Sequence, residues 1–338
     1  MFRKVSTPMA SGPAEPPEKT REFVFLLVPE FSMIAFAAAI EPLRIANRLS
    51  RRNLYNWRIA SDGARPIECS NGCQMSTDID LVDISRDSAI IVCAGTNLRD
   101  AISKPILTWL RKQSRLGVSM GAVCTGSHVL AKAGLLEGKR CTIHWENQAA
   151  FGEEFPETEL SNLLFCIDEG YFTCAGGTAA TDMMLHLIGE DCGPDLASLV
   201  ADAMIHTQVR RESDEQRLSV PARIGVRHPK LVNIIQTMEQ NTEEPISPSE
   251  LAKGVAMSTR QLERLFRRYL NRSPKRYYME LRLEKARNLL LQTDMSVINV
   301  ALACGFTSPS HFSKCYRNHF NRTPYRERGA PSERKASV

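Results

Sequence analysis

Residues 251–274 and 300–324 carry one pattern twice, LAKGVAMSTRQLERLFRRYLNRSP and VALACGFTSPSHFSKCYRNHFNRTP. Leu251-Ala252 falls on Val300-Ala301 at an offset of 49, and after one extra residue in the second copy the offset is 50 from Leu262/Phe312 onward. Phe266/Tyr316, Leu270/Phe320, Asn271/Asn321, Arg272/Arg322, Ser273/Thr323 and Pro274/Pro324 follow in register. Each copy reads as a short helix, a tight turn and a longer basic helix, the layout of a helix-turn-helix. Such a chain has to carry two DNA-reading units, and the residues upstream are expected to control them.

Charge divides along the same line. From Val226 to the end there are 20 Lys and Arg against 10 Asp and Glu, a net of +10, whereas residues 1–225 carry −5. A basic module on an acidic one points to double-stranded DNA as the partner of the C-terminal part alone. The longest apolar run, near 31–40, is interrupted by Ser32 and stops at Glu41-Pro42, so no membrane span is expected. Residues 1–21 lack the apolar stretch of a secretory signal and read as a disordered tail, as do 329–338. The ten cysteines stand mostly singly inside apolar runs. Cys69 and Cys73 have no Cys/His pair to complete a zinc site, so thiols in a reducing cytoplasm are expected, with no metal and no cofactor.

Apolar runs at 23–28, 55–61, 88–95, 117–124 and 140–145 read as strands, with 163–168 and 171–177 as a hairpin. Helical patterns fall between them near 34–49, 102–117 and 126–136, and continue at 177–190 and roughly 194–210. Alternating strands and helices over 22–210 predict an α/β domain, a parallel sheet sandwiched between helices in the flavodoxin-like manner. Residues 211–227, charged and interrupted by Pro221, read as a linker to an all-α domain over 228–328. In that domain 274–293 is a long helix joining the two copies, opened by a capping Ser273 and by Pro274.

In the first copy Leu262, Leu265 and Phe266 should face inward, leaving Arg260, Gln261, Glu263, Arg264, Arg267 and Arg268 outward. In the second, inward Phe312 and Tyr316 leave Ser310, His311, Ser313, Lys314 and Arg317. These residues, and the run AxxCGFxSxSHFSKxYRxxFNRTPYxxR over 301–328, resemble the AraC-type transcriptional regulators, whose DNA-binding domain is two helix-turn-helix units bridged by one helix. That resemblance covers about 228–328. It implies base-reading positions at Arg260, Glu263 and Arg264 and at Ser310, His311 and Lys314. It also implies two major-groove segments about one helical turn apart.

Upstream, GAVCTGSHVLAKAGLLEGKRCTIHW (121–145) puts Cys124 between small residues at a strand-to-helix turn, the form of a nucleophile elbow. With Glu41, IHW and AGGTAATD, it resembles the class I glutamine-amidotransferase-like or PfpI superfamily. Fused to an AraC module, it resembles the GlxA family of regulators. Hydrolases of the superfamily often carry His directly after the cysteine, where this chain has Thr125. The expectation is therefore a domain without enzymatic activity that binds a small effector among Glu41, Gly95, Thr96, Cys124, Thr125, His144, Trp145 and Gly177. Glu41 and Trp145 would suit a quaternary amine or a basic amino acid. Such a regulator would act as an activator, as a homodimer and with RNA polymerase. The other functions the elbow allows are a cysteine-dependent hydrolase or amidotransferase, and a thiol redox sensor, each with an appended DNA-binding module.

Overall fold

The computed structural model describes residues 20–96 and 98–329. The tails expected over 1–21 and 329–338 lie outside that range but for Thr20, Arg21 and Gly329. The chain separates into two compact units. One runs to His144 and resumes over Glu157–Asp214; the other is Trp145–Pro156 with Glu215 onward. Among the described residues no helix is long and apolar enough to cross a membrane.

In the first unit the elements run β1 (Arg21–Leu27), α1 (Met33–Ser50), β2 (Tyr55–Ala60), a two-residue pair β3 (Ile67–Glu68) and β4 (Gln74–Met75), then β5 (Ala89–Ala94). Next come α2 (Leu98–Ala101), α3 (Lys104–Arg115), β6 (Ser119–Cys124), α4 (Gly126–Lys132) and β7 (Arg140–Thr142). α5 (Gln148–Glu154) belongs to the other unit. β8 (Glu159–Ser161), β9 (Phe165–Asp168), β10 (Tyr171–Cys174), α6 (Ala179–Cys192) and α7 (Pro194–Ala203) complete the series. The main sheet has the order β2-β1-β5-β6-β10-β9, parallel except for the β9–β10 edge. That edge is the expected hairpin, closed by Glu169 and Gly170 at φ 44° and 85°, the left-handed pair a tight hairpin turn demands.

The central strands β1 and β5 are buried on both faces, which is why they read as continuous apolar runs. Phe23, Phe25, Leu27, Ile91 and Cys93 join α1, α6 and α7 in one core. The alternate residues Val24, Leu26, Ile90 and Val92 are equally buried, and α4 packs on β5 and β6. Two expected elements change. β7 does not enter the main sheet but pairs with β8. The helix expected to reach 210 stops at Ala203, because buried Asp182 draws the following segment back. Its carboxylate meets His206 Nε2 at 2.8 Å and takes Arg210 Nη2 at 2.6 Å.

The second unit contains α8 (Val220–Ile224), α9 (Pro229–Gln240), α10 (Pro248–Gly254), α11 (Thr259–Leu270), α12 (Pro274–Gln292), α13 (Val297–Ala303), α14 (Pro309–Phe320) and α15 (Pro324–Gly329). The linker expected over 211–227 is thus partly built in. Val220 of α8 is buried with Leu231, Ile234 and Met238 of α9, and Arg223 Nη1 reaches Glu239 at 2.7 Å. α5 joins this unit as well, with Ala150 in the core of Leu283, Ala286 and Leu290.

The repeat also extends further back than its motif. α9 and the second half of α12 hold equivalent places before α10 and α13, with Leu231/Leu283, Ile234/Ala286 and Met238/Leu290 buried at an offset of 52. The loop before α10 is three residues longer than the loop before α13, which hides the match in the sequence. Caps recur too. Ser258 and Ser308 accept the N–H groups of Gln261 and His311, and Asn271 and Asn321 end their helices at φ 53° and 58°.

Candidate functional site

α11 and α14 are held by the same inward residues. Leu262 and Phe266, like Phe312 and Tyr316, are fully buried. The positions three and four apart on the opposite side, Arg260, Arg264 and Arg267 in α11 and Ser310, Lys314 and Arg317 in α14, are exposed and match at an offset of 50. Among the described residues none of their charged groups is in an ion pair, so each stays open to a polyanion. The remaining sequence-predicted positions differ in character. Gln261 turns its side-chain oxygen back to the Ser258 N–H at 2.7 Å, closing a capping box. The Arg268 guanidinium lies 5.3 Å over Tyr269, at the flank of the helix. Glu263 is half-buried. The His311 ring sits by Cys315, with Nε2 3.4 Å from Sγ, and packs against Phe306.

In the first unit the elbow forms where β6 meets α4. Cys124 is 9% exposed and takes φ 60°, a left-handed conformation that costs a side chain about 1–2 kcal/mol. Three glycines allow close backbone approaches around the turn, one of them to Cys124 itself. A Cβ on Gly176 would stand 2.6 Å from Cys124 Cα, one on Gly126 2.2 Å from Val92 O, and one on Gly95 2.3 Å from Glu30 O. Thr125 donates its hydroxyl to Gly95 O at 2.7 Å, so the position after the cysteine serves the backbone. Ser127 likewise donates to Thr142 O at 2.6 Å. His128, one helical turn on, is buried; burial and then Lys132 lower its pKa to about 4, which leaves a neutral imidazole at pH 7. Burial pushes the thiol of Cys174 up to about 12 and holds that of Cys93 well above the usual range.

Of the effector residues expected from sequence, the structure brings Gly95, Thr96, Cys124, Thr125 and His144 together. His144 donates its backbone N–H to Cys124 O at 3.4 Å. Glu41 lies on α1 with its carboxylate taken by Arg44 Nε at 2.8 Å. The carboxylate at the strand ends is Glu30, which accepts the Thr96 hydroxyl at 3.0 Å from a left-handed φ of 61°. Sequence reasoning missed Glu30 because nothing in its neighbourhood announces that backbone conformation. Gly176 abuts Cys124, whereas nothing stands within 4 Å of where a Cβ on Gly177 would be. Trp145 falls in the second unit, where the Arg217 guanidinium lies 4.2 Å over its ring.

Comparison with known proteins places both halves. A helix-turn-helix domain profile matches residues 251–330, and the DJ-1/PfpI family matches 24–190. The chain is 46% identical over 319 residues to the HTH-type transcriptional regulator GbdR of Pseudomonas aeruginosa, covering 94% of this chain and 87% of that one. It is 38% identical over 302 residues to the HTH-type transcriptional regulator GlxA of Rhizobium meliloti, covering 89% and 93%. Among solved structures, a THiJ/PfpI family protein of Pseudomonas syringae shares the fold at a TM-score of 0.51 and 16% identity, over 70% of this chain and 93% of that one. This chain therefore belongs to the HTH-type transcriptional regulators that join a DJ-1/PfpI domain to an AraC-type helix-turn-helix domain.

Proposed function

We propose that α11 and α14 each enter a major groove and that the elbow of the first unit binds a small cationic effector which biases them. The observation that carries the DNA half is the twofold recurrence of an exposed cation, Arg264 and Lys314, at the same place on a capped helix. Arg260 and Arg264 carry forked guanidinium donors suited to guanine edges, with Glu263 able to accept from cytosine. Ser310, His311 and Lys314 are shorter or less directional. The first copy of the repeat should therefore discriminate sequence more strongly and the second copy anchor more. Arg264→Ala is expected to cost about 1–3 kcal/mol on the cognate site and to relax base preference beneath α11. Equal weakening on every sequence, in a competition assay with substituted sites, would assign Arg264 to phosphate.

The effector half rests on Glu30, whose carboxylate accepts the Thr96 hydroxyl and whose backbone carbonyl lies close against Gly95. A quaternary amine such as glycine betaine or carnitine, or a basic amino acid, matches that charge. Trp145 does not strengthen the case, since one face of its ring is covered by Arg217. The hydroxyl of Thr125, bonded to Gly95 O, and the buried His128, a weak base at a pKa of about 4, favour binding over hydrolysis at Cys124. In a thermal-shift series with these amines, a ligand at 100 times its Kd should stabilise the chain by about 2.7 kcal/mol. Cys124→Ser should keep that shift and Glu30→Gln should remove it. The reverse pattern, or turnover abolished by Cys124→Ser, would restore the enzymatic reading. Activation through RNA polymerase, a homodimeric state and a cytoplasmic site of action belong to the same proposal.

A further inference from the structure

Three side chains along α12 grip backbone and loop from both helix-turn-helix units. Tyr278, Arg282 and Lys285 are spaced four and then three apart, so they share one face of the helix. The Tyr278 hydroxyl donates to Asn241 O and accepts from the Ile246 N–H at 3.3 Å, while Lys285 Nζ donates to Thr242 Oγ1 at 3.1 Å. All of these partners lie in the loop joining α9 to α10, in the first copy. Arg282 donates Nε to Cys304 O at 2.7 Å and Nη2 to Gly305 O at 2.6 Å, and its guanidinium lies 4.2 Å over the Phe306 ring. Those partners form the turn between α13 and α14, in the second copy. Arg282 has no carboxylate in an ion pair among the described residues. The C-terminal carbonyls of α13 and the ring face supply the negative potential instead.

The two gripped segments also touch each other. A Cβ on Gly305 would stand 2.6 Å from Glu243 O and 2.7 Å from Pro245 Cγ and Cδ. At the corresponding turn of the first copy a side chain is accommodated, Ala256 at φ 51°, with its carbonyl met by Lys230 Nζ at 3.3 Å. The tighter arrangement is therefore specific to the place where the copies meet.

We propose that this clasp, Tyr278, Arg282 and Lys285 closing on Gly305, fixes the separation of α11 and α14 and so makes the protein select the number of base pairs between its two DNA segments. The path to the reading surface is short. Phe306, under the Arg282 guanidinium, packs edge-on against Phe312 at 5.0 Å and against the His311 ring at 6.1 Å, so the turn and the start of α14 move together. One base pair shifts a site by about 3.4 Å along the duplex and about 35° around it. Two helices locked together cannot follow that change, whereas two helices on a loosened joint can.

The proposal rests on both α11 and α14 entering the groove. The test uses the full chain and an operator selected by it from random duplex DNA, together with versions carrying one base pair more or fewer between the two protected segments. The wild-type protein should lose about 100-fold in affinity on either respaced site, the usual loss when a second linked contact cannot form. In Arg282→Gln and Tyr278→Phe that penalty should shrink severalfold, even where affinity for the original site falls. Tyr278→Phe keeps the ring and loses only the hydroxyl's two bonds, so it decides the matter if Arg282→Gln does not melt cooperatively. A penalty of undiminished size in Tyr278→Phe overturns the clasp and leaves these residues a structural role alone. Protection of a single segment by the wild type overturns the two-helix reading, and the clasp with it.

Discussion

Phe312→Ala is expected to destabilise the C-terminal unit by about 3–5 kcal/mol, a large part of what a domain of this size possesses. Phe312 is fully buried and occupies the centre of an aromatic chain. Its ring meets Phe306 at 5.0 Å and Tyr316 at 5.6 Å, and Tyr316 in turn meets Phe320 at 4.6 Å. Truncation removes the ring's buried area and both edge-on contacts, and the surrounding rings are too rigid to collapse into the space. The recognition helix α14 is amphipathic but only 12 residues long, so packing rather than propensity keeps it helical. Hydrogen exchange in the full chain should show the amides of α13 and α14 losing protection while those of β1, β5 and β6 keep theirs. Uniform loss, or a change under about 1 kcal/mol, would mean that Phe312 does not anchor this helix. Leu262, at the same place in the first copy, is also fully buried, and its replacement by alanine should cost less because a smaller apolar group is removed.

The pair Phe312/Leu262 also shows why the DNA-binding half was legible in the sequence. Two copies sharing inward residues, serine caps and an asparagine exit leave few alternatives, and local signals and tertiary packing agree at each of these positions. The matching of α9 to α12 escaped because a three-residue difference in loop length breaks the offset while leaving the packing intact. α5 escaped for another reason. A short helix bearing Ala150 and Phe151 states that it needs a core but not which core, and in chain order it falls between two strands of the first unit while belonging to the second. The same limit applies to the candidate site. Spacing identifies Cys124 and its flanking glycines, because close backbone approach demands those residue types. The position of Glu30 beside Thr96 and the covering of Trp145 by Arg217 depend on partners distant in sequence or on a backbone conformation that composition does not encode, and the diversion of Gln261 to a cap on a local bond that competes with an outward role.

Gly126→Ala is expected to disrupt the first unit, at a cost of about 3 kcal/mol or more, beyond the usual range for one added methyl. Gly126 opens α4, where alanine would by propensity alone be better by about 0.5–1 kcal/mol, so the sign of the effect tests which term wins. The added Cβ would stand 2.2 Å from Val92 O and 3.1 Å from Val92 C. That obstacle is the backbone of β5, held between β1 and β6, and it cannot rotate aside as a side chain could. Either α4 withdraws from the sheet, carrying the elbow with it, or β5 loses ladder bonds to its neighbours. Gly138→Ala is the contrast, since φ there is 65° but nothing lies within 4 Å, so only the backbone penalty of about 1 kcal/mol applies. Calorimetry of the two variants should therefore separate them clearly. Equal melting temperatures would show that α4 tolerates displacement and that the glycine serves something other than packing. If the separation is found, the Cys-Thr-Gly turn is held in shape by the close seating of α4 on β5 together with the Thr125 bond to Gly95 O.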